Sequence, residues 1–187
     1  SVAAIASAIM LGVDAEEAVR ASESFSGVPG RFEFVPTGED FDIIIDYAHT
    51  PEGLSQLLRS VEKIRRPGGK TILVFGCGGD RDKEKRPLMG KVATSLADFT
   101  VITSDNPRTE DPNRIIQDIV SGVRKGSTVV VSDRKKAIDY ALCAARKNDT
   151  VVIAGKGHEV YIDAGSEKLP FDERSVIKEI ISLKKRI

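Results

Sequence analysis

At 187 residues the chain can bury one substantial core, with room for a small appendage. Hydrophobic residues make up 41% and charged residues 30%, and Lys plus Arg equals Asp plus Glu at 28 each, which excludes a global field aimed at nucleic acid or a membrane surface. Cys77 and Cys143 are too few for a disulfide framework, and no signal-peptide pattern or apolar run of bilayer length is visible, so a cytoplasmic protein is expected.

The chain opens on Ser1 inside a helix-like pattern, as a piece of a longer protein would. Residues 2–11 (V-A-A-I-A-S-A-I-M-L) are small and apolar and stop at Gly12, which predicts a buried helix end. Asp14 is placed to cap a short second helix over residues 15–22. The breaker-rich residues 26–30 (S-G-V-P-G) mark a domain boundary, and the runs at 32–35 and 41–46 predict a hairpin-like pair. Strands over 43–46, 71–75, 99–102, 128–131 and 150–154 then alternate with helices. Those helices run from Thr50 to 64, from about Pro87, from Pro112 to 123 and from the cap Asp133 to 145. The helix opening near Pro87 presents Leu88, Met89, Val92, Ala93 and Leu96 as its apolar face. This alternation predicts an α/β fold: right-handed βαβ units and a mostly parallel sheet with helices on both faces. A short strand at 160–162 follows too closely for a crossover, so it is expected to be antiparallel and at an edge. Asp172 caps a final helix, with the basic residues 184–186 at its solvated end.

Four loops follow strands on one sheet edge, where open α/β sheets place ligands: residues 46–51 (D-Y-A-H-T-P), 76–83 (G-C-G-G-D-R-D-K), 105–108 (D-N-P-R) and 155–159 (G-K-G-H-E). They gather Asp46, His49, Arg81, Asp105, Arg108, Lys156, His158 and Glu159. Each has a plain alternative: Gly76–Gly79 as a tight turn, Asp46 as a helix cap, His49 as a structural histidine. G-x-x-x-x-G-K-[ST] is absent, neither glycine cluster completes G-x-G-x-x-G, and the Cys and His residues lack metal-ligand spacing. A dinucleotide-dependent oxidoreductase is therefore disfavoured. Cys77 has no evident base partner and is not read as a nucleophile. Two arginines suit carboxylates and a glutamate suits an ammonium, so the pocket fits a small zwitterion such as an amino acid.

Five motifs occur in order: G-V-P-G-R-F-E, D-Y-A-H-T-P, G-C-G-G-D-R-D-K-E-K-R-P-L-M, D-N-P-R-T-E-D-P and G-K-G-H-E. Over essentially the whole chain this series resembles the carboxyl-terminal part of the Mur ligases of peptidoglycan synthesis. The resemblance implies that residues 1–27 are the tail of a central ATPase domain and residues 28–187 a Rossmann-like amino-acid-binding domain. It implies that Asp105, Asn106, Pro107 and Arg108 form the signature of members that add meso-diaminopimelate, Arg108 countering the second carboxylate that lysine lacks. Arg81 resembles a second diaminopimelate contact, and Gly155 and Glu159 match positions that hold the distal amino group. Arg31, Asp46 and His49 match residues that reach the nucleotide on domain closure. The implied reaction is ATP-dependent ligation onto a UDP-N-acetylmuramoyl dipeptide through an acyl phosphate. The P-loop, the Mg2+-binding groups and the carbamylated lysine belong to the central domain, so neither catalytic residues nor metal ligands are expected in this chain. It is expected to be monomeric and not to catalyse ligation alone. A lysine-adding ligase and a free-standing Rossmann-like binding module are the alternatives.

Overall fold

The computed structural model describes residues 2–25, 27–124 and 126–184. Ser26 of the expected boundary and Lys185 and Arg186 of the terminal basic run lie outside the described residues.

Two helices come first, α1 (Val2–Met10) and α2 (Ala15–Glu23), the second capped by Asp14 through the N–H groups of Glu16 and Glu17. No residue of α1 is buried, and Met10 is 88% exposed, which corrects the expectation of a buried helix end. An apolar sequence buries a helix only where a surface faces it. Here α1 packs mainly on α2, itself almost wholly exposed.

The remaining elements are β1 (Glu33–Phe34), β2 (Asp42–Asp46), α3 (Pro51–Ile64), β3 (Thr71–Phe75), α4 (Lys85–Leu96), β4 (Phe99–Ile102), α5 (Pro112–Ser121), β5 (Ser127–Val130), α6 (Arg134–Ala144), β6 (Thr150–Ala154), β7 (Tyr161–Asp163), β8 (Lys168–Pro170) and α7 (Glu173–Lys184). Four of these helices start where an oxygen-bearing side chain takes an orphan N–H, whereas α4 starts after Glu84 without a side-chain cap. Thr50 accepts from Gly53, Asp111 from Asn113 and Asp133 from Lys136, while Asp172 accepts from Ser175.

Six strands form one sheet in the order β1-β2-β6-β3-β4-β5, parallel except for β1. The central strands, T-I-L-V-F and T-V-V-I-A, are buried at every position, as strands covered on both faces should be. Side-chain alternation divides the core in two. Ile43, Ile45, Val74, Val151 and Ile153 face Ile138, Leu142, Ile177 and Ile181 of α6 and α7. Ile44, Leu73, Phe75, Ile102 and Val152 face Leu54, Leu58, Met89, Ala93, Ile116 and Ile119 of α3, α4 and α5.

Two details differ from expectation. An antiparallel edge strand is present, but it is β1. Residues 160–162 instead feed β7, which pairs with β8 in a separate ribbon. The β2 edge is already occupied, and the ribbon finds its partners in β8 and the 105–108 loop, where Arg108 N–H donates to the Asp163 carbonyl at 3.0 Å. The second detail is α4, which starts at Lys85 and buries Arg86, Gly90 and Thr94 along with Met89 and Ala93, leaving Leu88 50% exposed. Small residues face α5 because the backbones nearly touch: a Cβ on Gly90 would stand 2.1 Å from the Ile119 carbonyl oxygen.

Candidate functional site

Beyond β3 the chain turns into α4 on one face of the sheet, and beyond β6 it leaves toward α7 on the other. Neighbouring strand ends that part in this way open a crevice at the carboxyl edge. A cavity of about 450 Å³ fills it, lined by His49, Arg81, Asp105, Asn106, Arg108, Gly155 and Glu159 among others. Two glycines let the strand ends approach. Gly155 has φ +116°, and a Cβ there would meet Asp105 Oδ2 at 2.6 Å; a Cβ on Gly79 would meet the Pro107 carbonyl oxygen at 1.9 Å.

The D-N-P-R loop is fully engaged. Asn106 Nδ2 donates to Glu159 Oε2 at 2.8 Å, and Asn106 Oδ1 accepts from Lys156 Nζ at 2.9 Å and from Asp163 N–H at 2.8 Å. Pro107 does not line the cavity; it precedes Arg108, whose backbone is left-handed at φ +51°. This turn aims the Arg108 guanidinium along the cavity wall. Its Nη1 donates to the Gly79 carbonyl at 2.7 Å and its Nε lies 3.4 Å from Asp163 Oδ2. Arg81 is exposed and donates to the Asp80 carbonyl at 3.1 Å, its one hydrogen bond among the described residues.

A clasp holds the two arginine-bearing loops together. Glu110 takes both Nη groups of Arg86, at 3.1 and 2.8 Å, and the Asp80 N–H at 2.6 Å, with Lys83 Nζ at 3.2 Å. The Asp80 carboxylate in turn accepts from the Thr109 hydroxyl at 2.8 Å. Hydrogen bonds from Arg86, then from Asp80, hold the Glu110 carboxyl down at about 2.

Beneath the cavity, buried Arg134 donates to the Ser104 and Ala154 carbonyls at 3.2 and 2.9 Å and pairs with Glu173 at 2.7 Å, with Asp105 Oδ2 at 3.8 Å. Burial pushes the Glu173 carboxyl up, with Arg134 opposing. Burial also pushes the Cys77 thiol up to about 12, so it stays protonated and unreactive although it lines the cavity.

Of the nucleotide candidates, Arg31 and Asp46 lie outside the cavity lining, whereas His49 is part of it. Asp46 accepts from Phe32 and Ala48 N–H, both at 2.7 Å, and Arg31 is exposed, stacked over the Tyr47 ring at 4.6 Å. His49 lines the cavity with Nδ1 2.9 Å from the Tyr47 carbonyl oxygen, whereas His158 rests on Tyr47 outside the lining. The buried roles of Arg134, Arg86 and Lys156 escape a reading of the sequence. Arg134 and Arg86 each stand in the first turn of a helix, where the dipole disfavours a cation, but Lys135, Lys136 and Lys85 share those turns without being buried, so position does not single the arginines out.

A family profile described as "Mur ligase, glutamate ligase domain" matches residues 30–157. A UDP-N-acetylmuramoyl-L-alanyl-D-glutamate--2,6-diaminopimelate ligase from Caldanaerobacter subterraneus subsp. tengcongensis is 50% identical over 184 residues, 97% of this chain and 38% of that protein. A protein of the same name from Clostridium tetani is 50% identical over 172 residues, 91% of this chain and 35% of that protein. A solved structure of a ligase of that name superimposes with TM-score 0.79 at 36% identity, covering 98% of this chain and 38% of that one. The chain thus spans a little over a third of the length of these relatives.

Proposed function

The chain belongs to the Mur ligase family, and on that premise we propose that it is the amino-acid-selecting, carboxyl-terminal part of an ATP-dependent ligase that joins meso-diaminopimelate to UDP-N-acetylmuramoyl-L-alanyl-D-glutamate. The observation that carries this reading is the pairing of Arg108 and Glu159 in one cavity, with Arg81 at its rim. Diaminopimelate is lysine with a second carboxylate on its far carbon. Arg108 and Arg81 supply counter-charge for that carboxylate, and Glu159 with the Gly155 carbonyl takes the distal ammonium. The names of the two relatives favour diaminopimelate over lysine.

In this reading ATP phosphorylates the D-glutamyl carboxylate, the amine of diaminopimelate attacks the acyl phosphate, and the tetrahedral intermediate loses phosphate. The chain's own contribution is to hold the amine in line for attack. Arg31, Asp46 and His49 would approach the nucleotide when the domains close, Tyr47 linking Arg31 to the cavity wall. The Mg2+ that accompanies ATP is assigned to the central domain; the described residues contain no group of three or more His, Cys, Asp or Glu placed to hold a metal ion. Residues 1–27 are assigned to the tail of the central ATPase domain, which would give the exposed apolar side of α1 a surface to pack on. A cytoplasmic monomer completes the proposal; no helix among the described residues is long and apolar enough to cross a membrane.

The test is Arg108→Ala in the ligase that carries this chain. Loss of a desolvated charge pairing should weaken diaminopimelate by about 2–5 kcal/mol, while lysine binding, which does not use that pairing, should change little. Equal weakening of both ligands would remove the role assigned to Arg108.

A further inference from the structure

Lys156 has no exposed side-chain surface, an unusual place for a lysine unless its ammonium is fully engaged. Its Nζ lies 2.9 Å from Asn106 Oδ1, 3.2 Å from Glu159 Oε2 and 3.8 Å from Asp105 Oδ1. Charge balance on Asp105 is shared with Arg134, which stands at 3.8 Å from the other carboxylate oxygen and pairs more closely with Glu173 at 2.7 Å. What Lys156 adds is direction.

An ammonium and a backbone N–H can only donate. Lys156 Nζ and Asp163 N–H meet the same atom of the Asn106 side chain, so that atom is the oxygen. The Asn106 amide is thereby fixed, and its Nδ2 must point at Glu159 Oε2, 2.8 Å away. Lys156 donates to that same Oε2. Both donors sit on one carboxylate oxygen, and the other, Oε1, has no partner among the described residues, on a side chain that lines the cavity.

We infer that Lys156 is a positioning residue of the amino-acid site: by fixing the Asn106 amide and binding Oε2, it turns Glu159 so that Oε1 receives the ligand's distal ammonium. The inference rests on the reading of this cavity as a diaminopimelate site. A lysine suits the task because its tetrahedral head reaches acceptors on three sides, whereas the flat fork of arginine would not.

The test compares Lys156→Met, Asp105→Asn and the double variant in the ligase that carries this chain, each checked by thermal melting. The double variant leaves no added buried carboxylate unbalanced. Relative to wild type for Lys156→Met, and to Asp105→Asn for the double variant, KM for meso-diaminopimelate should rise about tenfold or more, with kcat at saturation within about threefold. The preference for meso-diaminopimelate over 2-aminopimelate, which lacks the distal amine, should narrow in both. A folded variant with unchanged KM and unchanged preference overturns the inference. Melting of both lysine variants below the assay temperature also overturns it, making Lys156 a residue of the fold alone. Failure of the underlying reading shows separately, as a wild-type enzyme that does not prefer meso-diaminopimelate to lysine.

Discussion

Arg108 combines two roles that pull against each other. Its guanidinium reaches the Gly79 carbonyl and the cavity, but its backbone sits at φ +51°, where a residue with a Cβ is strained. Arg108→Ala and Arg108→Gly remove the same side-chain contacts and differ in that strain. The glycine variant should therefore be the more stable of the two by about 1 kcal/mol. Identical unfolding midpoints would mean that the turn is unstrained. Glu110 offers a second check at this scale. Its carboxyl is held at about 2, against 4.5 for the free side chain, so the ionised form favours the folded state. That contribution is complete above about pH 4.5 and fades as pH falls toward 2. The stability gap between wild type and Glu110→Gln should accordingly close on acidification across that window. A gap that holds steady from neutral pH down to pH 3 would contradict the Arg86–Glu110 clasp.

Among the elements, α4 and α5 matter most because both arginine-bearing loops lead into them. They meet so closely that a Cβ on Gly122 would stand 1.8 Å from the Pro87 carbonyl oxygen. Gly122→Ala should lower stability by about 1–3 kcal/mol through overpacking, as read from denaturant titration. No change would show that this contact yields easily. The alternating strands and helices are legible in the sequence because each carries its own period, and their caps stand at fixed offsets. The ribbon is less so. Lys168-Leu169-Pro170 is short, exposed and ends in proline, so nothing local marks it as a strand. The exposure of α1 is also hidden, since an apolar run predicts burial whether or not a facing surface exists. Of the site, the convergence of four strand-end loops follows from parallel topology alone. The buried cations do not follow from it. Lys156 and Arg134 are held by partners such as Asn106 and Glu173, 50 and 39 positions away in the chain. Charged residues read singly are assigned to the surface, and only the fold brings those partners in.

For the molecule as a whole, the geometry divides labour. In the proposed function, the cavity at the sheet edge sorts amino acids by the charge at their far end, and acyl activation is assigned to the central domain of the ligase; the chain itself spans just over a third of each relative's length. Selection on that proposal rests on one difference, a carboxylate assigned to Arg108 and Arg81. Calorimetric titration of meso-diaminopimelate and of L-lysine into the ligase that carries this chain tests that selection most directly. Diaminopimelate should bind at least about 30-fold more tightly, the equivalent of about 2 kcal/mol from the added charge pairing. Equal affinity for the two amino acids would contradict the assignment of this cavity.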